Sequence, residues 1–531
     1  MPLVERNPPP YDVVIVGYGP TGMVLAPLLA QRGHRVVVLE RYSGLYNLPR
    51  AATFDDETMR IFQKLGISEV ISAGTRPVYE YDWTNGEGEI LSRHTFSDRG
   101  ISGWPEFNMV YQPWLEDQLA DLAHTLPSIN VLFDHRVTGL HQDEDGVVLD
   151  VATPEGLSIV SGRFVVACDG GNSTVRELLD VGQEDYGFYE PWLVCDFRLK
   201  HPVAGLPSAQ QLGDPAQPVS IFTIDDEHQR FAFMLDDPSQ IAEMTDAEMW
   251  RKVSRWLGPD DADPIRVATY TFRSRSACEW RRGRIFLAGD AAHEMPPFLG
   301  QGMCSGIRDS NNIAWKLDLV LSGRAGHSLL ETYQKERAPH VKQITLKAIE
   351  LGRLQTIRDV AAAKARDEQM RRARAESGEP AAYAFPAYED GFLSASDPGS
   401  GRGLLFPQGM MRAADGAELR LDDCLGTGFH LVSVDAGSVS YDGPVVVADR
   451  GVDVFLIVPE GDDIPDGSGD HVQTLVDLDG VYRGWFAEHD CTSALVRPDG
   501  YVFGTAHDTD RLSGLVAELA DLNGRGARLP A

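Results

Sequence analysis

Cysteine is scarce in this 531-residue chain, and its cysteines are widely separated. The six of them stand at positions 168, 195, 278, 304, 424 and 491, so no Cys-x-x-Cys pair occurs. This spacing excludes a disulfide framework and a cysteine-based zinc site, and we expect no metal. Unpaired thiols are typical of the reducing cytoplasm, which is the location that the sequence predicts.

Positive charge and long apolar runs are also lacking. Lys and Arg number 48 against 79 Asp and Glu, a net charge of −31, which disfavours binding to nucleic acid or anionic lipid. No apolar run has the length that crosses a membrane, and the first residues, Met-Pro-Leu-Val-Glu-Arg, lack the pattern of a signal peptide. We therefore expect no nucleic-acid or membrane partner. The length suggests roughly two to four domains.

The most informative segment that is present joins a glycine-rich turn to two apolar strands. Residues 13–16 predict a buried strand, which runs into Gly17, Gly19 and Gly22 at the start of a helix. Gly17 permits a tight turn, Gly19 lets backbone N–H groups approach a pyrophosphate, and Gly22 lets the helix pack closely on the strand. A second apolar strand ends on Glu40, whose carboxylate can bind a ribose. The segment predicts dinucleotide binding, with a plain structural turn as the alternative.

The order of apolar patterns along the chain predicts a nucleotide-binding core that is interrupted by a sheet-rich insertion. After about residue 75, short strands replace the β–α alternation; near residue 284 a buried strand and a long helix return. A loop rich in Gly, Pro and Ser then separates a last segment that has the size of a small α/β domain. The expected elements are strands at 78–91, 137–151, 192–200, 219–224, 230–235, 266–273, 284–290, 429–434, 444–448, 454–458, 494–497 and 501–504, and helices at 112–126, 246–257, 302–321, 327–376 and 510–522.

Two further motifs follow buried strands. Asp169-Gly170 precedes a helix that Ser173 or Asn172 can cap; alone it indicates a well-capped connection. Gly289-Asp290 leads through Pro-Pro into Gly300-Gln-Gly-Met. A carboxylate at a strand end can accept hydrogen bonds from a polyol, and the prolines and glycines allow close backbone contact with a flat ring. That combination favours a flavin over a nicotinamide cofactor.

With all three motifs in order, the chain resembles the single-component FAD-dependent aromatic hydroxylases of the p-hydroxybenzoate hydroxylase fold. The segment from Gly289 to Asp309 resembles most closely the 3-(3-hydroxyphenyl)propionate hydroxylase branch, and residues 405–408 and 496–504 resemble that family's terminal domain. The resemblance implies an α/β protein with a Rossmann-like FAD-binding domain, an inserted, mainly antiparallel substrate sheet and a C-terminal thioredoxin-like domain. That last domain would be redox-inactive, since Cys424 and Cys491 stand alone. The implied division assigns 1–75, 112–185 and 276–390 to FAD, 76–111 and 186–275 to the substrate sheet, and 400–531 to the terminal domain.

Carried over position by position, the resemblance also implies the contacts of the cofactor. Asp169 would brace FAD or the nicotinamide donor, and Glu294 stands where relatives usually have an apolar residue. The implied FAD contacts are Gly17, Gly19 and Gly22 at the pyrophosphate, Glu40 at the adenosine ribose, Arg50, Gln112 and Asp290 at the ribityl and phosphate region, Pro297, Gly300, Gln301, Gly302 and Met303 at the isoalloxazine, and also Pro20, Thr21 and Arg41.

The implied reaction is ortho-hydroxylation of a phenol by NAD(P)H and O2 through a C4a-hydroperoxyflavin. Only one dinucleotide fingerprint is present, so NAD(P)H would dock transiently. A helix that begins near Gly302 would stabilise the reduced flavin with its positive end. Tailoring of a polycyclic aromatic or quinone, including Baeyer–Villiger insertion, is one alternative; a non-catalytic flavoprotein is another. A flavin halogenase is disfavoured because no Trp-x-Trp-x-Ile-Pro motif occurs.

Candidates for direct participation in the reaction lie at residues 289–303, which we call the flavin loop. His293 is either a catalytic base or a brace of the backbone, and Pro297 would touch the flavin. Arg198, Arg273 and Arg275 would either bind a substrate carboxylate or simply face solvent. The partners expected are a small aromatic substrate and O2, and the terminal domain offers a surface for a homodimer. The predicted substrate walls, which core packing would explain equally well, are Tyr186, Phe188, Tyr189, Trp192, Phe222, Phe233, Pro296 and Phe298.

Overall fold

The computed structural model describes residues 10–237, 245–380, 383–397, 399–439, 452–462 and 472–520. The strand predicted at 444–448 and the last two residues of the helix predicted at 510–522 lie outside the described residues. Within the described ranges, no helix is both long and apolar enough to cross a membrane.

Strands occur along the whole of the described chain. In chain order they are β1 (Tyr11–Val16), β2 (Val36–Leu39), β3 (Thr53–Asp55), β4 (Arg76–Pro77), β5 (Glu80–Asn85), β6 (Ile90–Thr95), β7 (Phe107–Met109), β8 (Ile129–Leu132), β9 (Arg136–Gln142), β10 (Val147–Thr153), β11 (Gly156–Ala167), β12 (Gln183–Leu199), β13 (Ala209–Gly213), β14 (Val219–Thr223), β15 (His228–Met234), β16 (Ala262–Ala277), β17 (Arg281–Arg282), β18 (Ile285–Leu287), β19 (His293–Glu294), β20 (Met410–Arg412), β21 (Glu418–Arg420), β22 (Phe429–Ser433), β23 (Val452–Pro459), β24 (Val472–Asp477), β25 (Ser493–Val496) and β26 (Val502–Ala506).

Helices connect these strands and form a long run after the flavin loop. They are α1 (Pro20–Ala30), α2 (Asp56–Lys64), α3 (Ser68–Ala73), α4 (Gln112–Thr125), α5 (Thr174–Leu178), α6 (Asp246–Val253), α7 (Gln301–Leu321), α8 (Thr332–Gln355), α9 (Val360–Ser377), α10 (Leu421–Cys424), α11 (Ala436–Val439), α12 (Val481–Glu488) and α13 (Thr509–Ala520). The segment predicted as one or two helices at 327–376 is thus mostly two helices, and the side chain of Asp359 caps the second by accepting from Ala362 N at 2.8 Å.

The first sheet has a parallel centre, ordered β18–β11–β1–β2–β8. Every residue of β2 and the last four of β1 are buried, so both faces of the sheet are covered at its centre. Val13 pairs with Phe164 of β11 on one side and Val36 of β2 on the other. The antiparallel strands β9 and β10 extend the sheet from β11. Since β1, β11 and β18 run in the same direction, their carboxyl ends bring all three motifs to one edge.

The second sheet is mainly antiparallel and is ordered β19–β16–β12–β15–β14–β13–β5–β6. Because successive side chains along a strand point to opposite sides, the sheet has two different faces. Trp192 and Val194 pack on one face with Phe298 of the flavin loop, whereas Leu193 and Cys195 pack on the other. The strand predicted at 78–91 is divided into β5 and β6, because the side chain of Asn85 accepts from the backbone N–H groups of Glu87 and Glu89 and forms a turn.

The last segment forms a separate sheet, ordered β21–β20–β24–β23–β22–β25–β26, which docks on the long helices through buried charges. Glu336 of α8 accepts hydrogen bonds from Lys316 at 2.6 Å and from Arg497 at 2.7 Å. Asp499 accepts from Arg497, from the Trp315 indole at 3.1 Å and from Asn312 at 3.1 Å. All six side chains are buried, so the terminal sheet completes an ionic core that begins in the rest of the chain.

Candidate active site

The three fingerprint glycines occupy different environments, which match their predicted purposes. Gly17 has a φ of +102°, and a Cβ there would lie 2.4 Å from the carbonyl oxygen of Cys168. A Cβ on Gly22 would lie 2.3 Å from the carbonyl oxygen of Gly17. At Gly19, by contrast, no atom lies within 4 Å of the added Cβ. Because α1 begins at Pro20 with no side-chain cap, its first N–H groups are free to bind an anion beside Gly19.

Glu40 closes the fingerprint directly after β2. Its carboxylate accepts from the backbone N–H of Tyr18 at 2.8 Å and of Tyr42 at 3.0 Å. These bonds fix the carboxylate beside the glycine turn and leave lone pairs on both oxygens for a ribose hydroxyl. The neighbouring Arg41 is exposed and lies over the Tyr42 ring, with 5.0 Å between its Cζ atom and the ring centroid.

Gln112 and Arg50 have different relations to the cofactor region. The buried Gln112 side chain accepts from the backbone N–H groups of Arg50 and Ala51 and donates to Glu116 at 2.6 Å. It therefore fixes the loop on which Arg50 stands. The Arg50 guanidinium itself is exposed over the Tyr46 ring, 4.1 Å from the centroid, and can turn toward a phosphate.

The Asp169 motif is tied to the flavin loop by Arg176. Ser173 caps α5 by accepting from Arg176 N at 3.0 Å. The Arg176 guanidinium donates to the carbonyl oxygens of Gly171 at 2.7 Å and Ala291 at 2.9 Å. Asp169 accepts from Val175 N at 3.1 Å through Oδ2, whereas its buried Oδ1 has no hydrogen-bond partner among the described residues. Burial raises the pKa of Asp169, against hydrogen bonds from Ser173 and Val175.

Asp290 lies three residues after β18 with its side chain exposed, at the edge where the three motifs meet, which we call the cleft. Desolvation by the surrounding protein raises its pKa, and nearby His293 and Arg50 oppose that rise. Its carboxylate makes no hydrogen bond to another described residue. Gly289 has a φ of +58°, and a Cβ there would lie 2.5 Å from the Thr21 hydroxyl, so the loop packs closely on α1. The free carboxylate suits the hydroxyls of a ribityl chain.

The flavin loop presents backbone to the same cleft. Pro297 is exposed and Pro296 is buried, while Gly302 and Met303 are partly exposed at the start of α7. Gly300 has a φ of +68°, and α7 begins at Gln301 with no side-chain cap. An uncapped helix start, an unpaired carboxylate and an open glycine cradle along one edge match the ring, the ribityl chain and the pyrophosphate of FAD. The residues present therefore fit this cofactor.

His293 lies beneath this loop and is 1% exposed. Its Nε2 is 2.7 Å from Asp309 Oδ2, which also accepts from Gly289 N at 2.9 Å. The imidazole stacks on the Trp280 ring at a centroid distance of 5.0 Å. This geometry favours the brace over the catalytic base, because the cleft does not reach the imidazole. The catalytic role of His293, like that of Pro297, stays a hypothesis.

A buried chain of hydrogen bonds around Arg308, which we call a relay, was not predicted from the sequence. Its guanidinium donates to Gln301 Oε1 at 2.7 Å, to Glu57 at 2.5 Å and to Asp55. Glu57 in turn accepts from the Tyr501 hydroxyl of the terminal segment at 3.0 Å. The relay connects the terminal sheet to Gln301, which is an expected flavin contact.

A second relay runs through Arg337 to the Gly289 turn. Arg337 donates to Asp309 Oδ1 at 2.8 Å and to the Tyr388 hydroxyl at 3.4 Å, and Tyr388 stacks on Tyr501 at 4.1 Å. Both relays are fully buried, and both begin at the same pair of tyrosines. The only signal in the sequence was charge in an apolar setting: Arg308-Asp309 within α7, and the acidic run Asp55-Asp56-Glu57 directly after a strand.

The predicted substrate walls do not form a single group. Phe188 and Trp192 each lie 5.7 Å from Phe298 between ring centroids, and this cluster, with the partly buried Tyr186 at its edge, is packed beneath α8. Phe222 lies on the same face of the sheet, in a neighbouring cluster with Tyr81. Tyr189 is 59% exposed, so its side chain does not line an enclosed pocket.

Phe233 was wrongly assigned to the pocket. It pairs with Leu193, one residue out of phase with Trp192, and therefore points to the opposite face of the sheet. There it packs with Phe231 and Trp256. An aromatic-rich strand does not reveal from its sequence which of its two faces meets the cofactor.

The candidate carboxylate-binding arginines do not converge on this face. Arg198 is exposed. Arg275 lies 3.6 Å from Asp185, and Arg273 lies over the Tyr189 ring. Desolvation and Asp290 raise the pKa of Glu294, and Arg275 and Arg273 oppose the rise. These two arginines thus offset the negative charge of Glu294 at the edge of the flavin loop.

Comparison with known proteins covers nearly the whole chain. Residues 10–348 match the FAD binding domain family, and residues 403–522 match the HcaD C-terminal domain family. A probable NADH-specific resorcinol 4-hydroxylase of Rhodococcus jostii (strain RHA1) is 46% identical over 516 residues, which cover 96% of this chain and 94% of the relative. A 3-(3-hydroxy-phenyl)propionate/3-hydroxycinnamic acid hydroxylase of Mycobacterium sp. (strain JLS) is 33% identical, covering 95% of this chain and 90% of the relative.

Solved structures of similar proteins share the architecture. The ternary complex of aklavinone-11 hydroxylase with FAD and aklavinone has a TM-score of 0.76 and 25% identity, and the match covers 97% of this chain and 100% of the other. The flavin-dependent monooxygenase PieE, in complex with FAD and substrate, has a TM-score of 0.80 over the same shares of both chains. Its 21% identity supports the fold alone.

Proposed function

This chain belongs to the FAD-dependent aromatic hydroxylases, and from that membership we propose that its substrate is a small polyhydric phenol, with resorcinol as the first to test. The family, the FAD cofactor and the monooxygenase activity expected from the sequence are confirmed by the matches. The choice of substrate is supported by the resorcinol hydroxylase relative and by the lack of converging arginines on the substrate face. That relative's name also favours NADH over NADPH as the donor.

The observation that carries the function is the open edge of the first sheet, where all three motifs meet. When bound, FAD supplies the redox chemistry by accepting a hydride from NADH and delivering one oxygen atom of O2 to the ring. Gly17, Gly19 and the start of α1 would hold its pyrophosphate. Asp290 would hold the ribityl chain, and the start of α7 would lie against the ring.

The other task of the chain is to orient the phenol and to exclude water. The packed cluster of Phe188, Trp192 and Phe298 closes the sheet side of the cleft beneath α8. A phenol reacts best as its anion. Lowering its pKa from about 10 to about 8 takes roughly 2.7 kcal/mol of preferential stabilisation. One or two well-placed hydrogen bonds supply that much, so a strong base is not required.

The test is NADH oxidation by the purified, FAD-loaded protein. We expect resorcinol to stimulate NADH oxidation at least tenfold and to yield 1,2,4-trihydroxybenzene, identified by mass and NMR. Hydrogen peroxide is measured in parallel, because peroxide without product would mean that the substrate is not hydroxylated. The controls are 3-(3-hydroxyphenyl)propionate, simple phenols and NADPH. A protein that binds no FAD, or whose NADH oxidation no phenol stimulates, would overturn the proposal.

A polycyclic aromatic or quinone is the second candidate substrate. It is supported by the structural likeness to aklavinone-11 hydroxylase. We place it second because the aromatic cluster beneath α8 is closed. A product enlarged by one oxygen in a ring, instead of a new ring hydroxyl, would indicate Baeyer–Villiger insertion.

We also propose the division of the chain expected from the sequence. Residues 1–75, 112–185 and 276–390 would hold FAD, 76–111 and 186–275 would hold the substrate, and 400–531 would be a thioredoxin-like domain without a redox pair. Cytoplasmic location is supported by the separated cysteines, and a homodimer through the terminal domain is tested by light scattering of the eluting protein.

A further inference from the structure

A small cavity lies farther along the substrate face of the second sheet. By alternation, Asp196 of β12 points to the same side as Trp192 and Val194. Asp196, His228 and Arg230 form the sheet side of the cavity. The other side is formed by Tyr111 and by Pro49 and Ala51. Since those two flank Arg50, the cavity adjoins the loop expected to contact FAD. The space between these side chains is about that of one water molecule, which is also the size of a single hydroxyl group.

Two hydrogen-bond acceptors at this cavity have no partner. Asp196 is 5% exposed and accepts from Arg230 Nε at 2.6 Å through Oδ1. Its Oδ2 is buried and unpartnered among the described residues, and so is His228 Nε2. Leaving buried polar atoms unsatisfied is costly, so the pair indicates a missing donor.

The orientation of His228 makes its free nitrogen an acceptor. Its Nδ1 lies 2.9 Å from both carboxylate oxygens of Asp225, so Nδ1 carries the proton and Nε2 keeps the lone pair. The imidazole is held in place by stacking on Tyr111, with 4.0 Å between centroids and 8° between planes.

Two of the cations around the cavity are already engaged. Arg230 donates to Asp196 and also to the carbonyl oxygen of Arg50 at 2.5 Å. Arg266 donates to the Pro49 carbonyl and to the Tyr46 hydroxyl. A substrate carboxylate here would face the Asp196 charge, and the exposed Arg198, which pairs with His228 across the strands, is the nearby guanidinium that has no hydrogen bond among the described residues. A hydroxyl, in contrast, donates one hydrogen to one of the two acceptors and fits the space.

We propose that Asp196 and His228 form a subsite for a second hydroxyl of the substrate ring, so that the enzyme selects a 1,3-dihydroxybenzene over a phenol that bears a carboxylate. This assignment rests on the proposed function, because it concerns the same substrate. It also gives a physical reason why this chain would differ in substrate from the relatives named for a propionate side chain.

The experiment titrates the oxidised holoenzyme with ligands and follows the flavin absorbance. The probes are resorcinol, phenol, 3-fluorophenol (which has no donor at the second position) and 3-(3-hydroxyphenyl)propionate. We expect resorcinol to bind about tenfold more tightly than phenol or 3-fluorophenol, the value of one well-placed hydrogen bond. The propionate compound should bind most weakly.

Two variants test the acceptors separately. His228→Phe keeps the stacking on Tyr111 and removes Nε2, and Asp196→Asn keeps an oxygen for Arg230 but replaces one acceptor with a donor. Each should bring the resorcinol-to-phenol preference below about threefold and change phenol binding less than about twofold. Asp82→Asn is the matched control, since Asp82 pairs with Arg93 on the same sheet away from the cavity, and it should keep the wild-type preference.

The outcomes distinguish this subsite from the proposed function. Equal loss of phenol and resorcinol binding in both variants would overturn the subsite, because it would mean a structural effect only. Tighter binding of the propionate compound than of resorcinol to the wild type would also overturn it. Failure of the proposed function looks different: no phenol would then stimulate NADH oxidation, although FAD is bound.

Discussion

At the scale of single residues, the glycines of the first turn separate folding from cofactor binding. Gly17 is needed by the fold, since its φ is positive and an added Cβ would clash with Cys168. Gly19 has extended backbone angles and open space around its missing side chain. The same motif thus contains one position that the fold needs and one that we expect the ligand to need.

Replacing each of these glycines by alanine should give different results. Gly19→Ala should leave the circular dichroism and melting temperature of the apoprotein unchanged, but weaken FAD binding at least tenfold, because the methyl group would occupy the space of the pyrophosphate. Gly17→Ala should reduce the yield of folded protein. FAD affinity is measured by fluorescence titration of the apoprotein. Undiminished FAD affinity in Gly19→Ala would contradict the placement of the cofactor.

Asp56 makes stability depend on pH. Desolvation, with repulsion from Asp55, raises its pKa to about 7, and its Oδ2 accepts from Ser102 N at 2.9 Å. The folded state therefore keeps a proton that the unfolded state loses near pH 4, and stability falls as pH rises from about 4 to about 7. A rise in pKa from about 4 to about 7 corresponds to roughly 4 kcal/mol, as an order of magnitude.

Asp56→Asn should remove that dependence, because the amide oxygen still accepts from Ser102 and carries no charge. We expect the variant to melt at a higher temperature than the wild type at pH 8 and at nearly the same temperature at pH 4.5. Thermal unfolding followed by circular dichroism at both pH values measures the difference. An equal difference at the two pH values would show that Asp56 does not titrate in this range.

At the scale of elements, the flavin loop is supported from beneath by side chains that do not reach the cleft. His293 on β19 and Arg337 on α8 both bond to Asp309 of α7, and Asp309 also accepts from the backbone at Gly289. Three elements thus fix the turn that carries Asp290. Support of this kind affects the affinity for the cofactor more than the chemistry.

His293→Gln tests this support, because glutamine can still donate to Asp309. We expect a kcat within about twofold of the wild type and a pH profile of unchanged shape. His293→Ala, which leaves Asp309 without one donor, should weaken FAD binding roughly tenfold. Steady-state kinetics from pH 6 to 9 provide the measurement. The loss of one limb of the pH profile in His293→Gln would instead identify the imidazole as a catalytic base.

How much of the fold and the site the sequence revealed depends on how far apart in the chain the interacting residues are. Gly17 directly follows β1, and Asp169 and Asp290 lie two and three residues after β11 and β18, so local pattern was enough to predict their positions at one edge of the sheet. Phe233 and the Asp196 cavity depend on which face of the sheet meets the cofactor, a property of strand register between distant segments. The relay from Tyr501 to Gln301 joins residues that are far apart in the chain. No periodicity in a single sequence predicts such a contact.

At the scale of the whole molecule, the terminal sheet and the catalytic part share buried charges. Arg497 and Asp499 belong to the terminal sheet, and their partners Glu336, Lys316 and Trp315 belong to the long helices. Removing one member of such a network leaves uncompensated charge in the interior, which typically costs about 3–5 kcal/mol.

Asp499→Ala should therefore lower the free energy of unfolding by several kcal/mol and cause FAD to dissociate more readily, since α7 carries both Trp315 and the start that we expect to face the flavin. Urea unfolding and the FAD content after gel filtration measure the two effects. Glu460→Ala is the control: its exposed pair with Arg412 lies in the same sheet, and its loss should cost less than about 1 kcal/mol. Equal effects in the two variants would mean that the buried charges at the junction between the terminal sheet and the long helices contribute little to stability.

The stacked tyrosines Tyr388 and Tyr501 give this junction a further consequence. Because one ring pair anchors both arginine relays, the catalytic and terminal parts cannot loosen independently. Calorimetry should thus show one cooperative endotherm instead of two, and supplying FAD should raise the melting temperature of the terminal sheet, although all the expected FAD contacts lie outside that sheet.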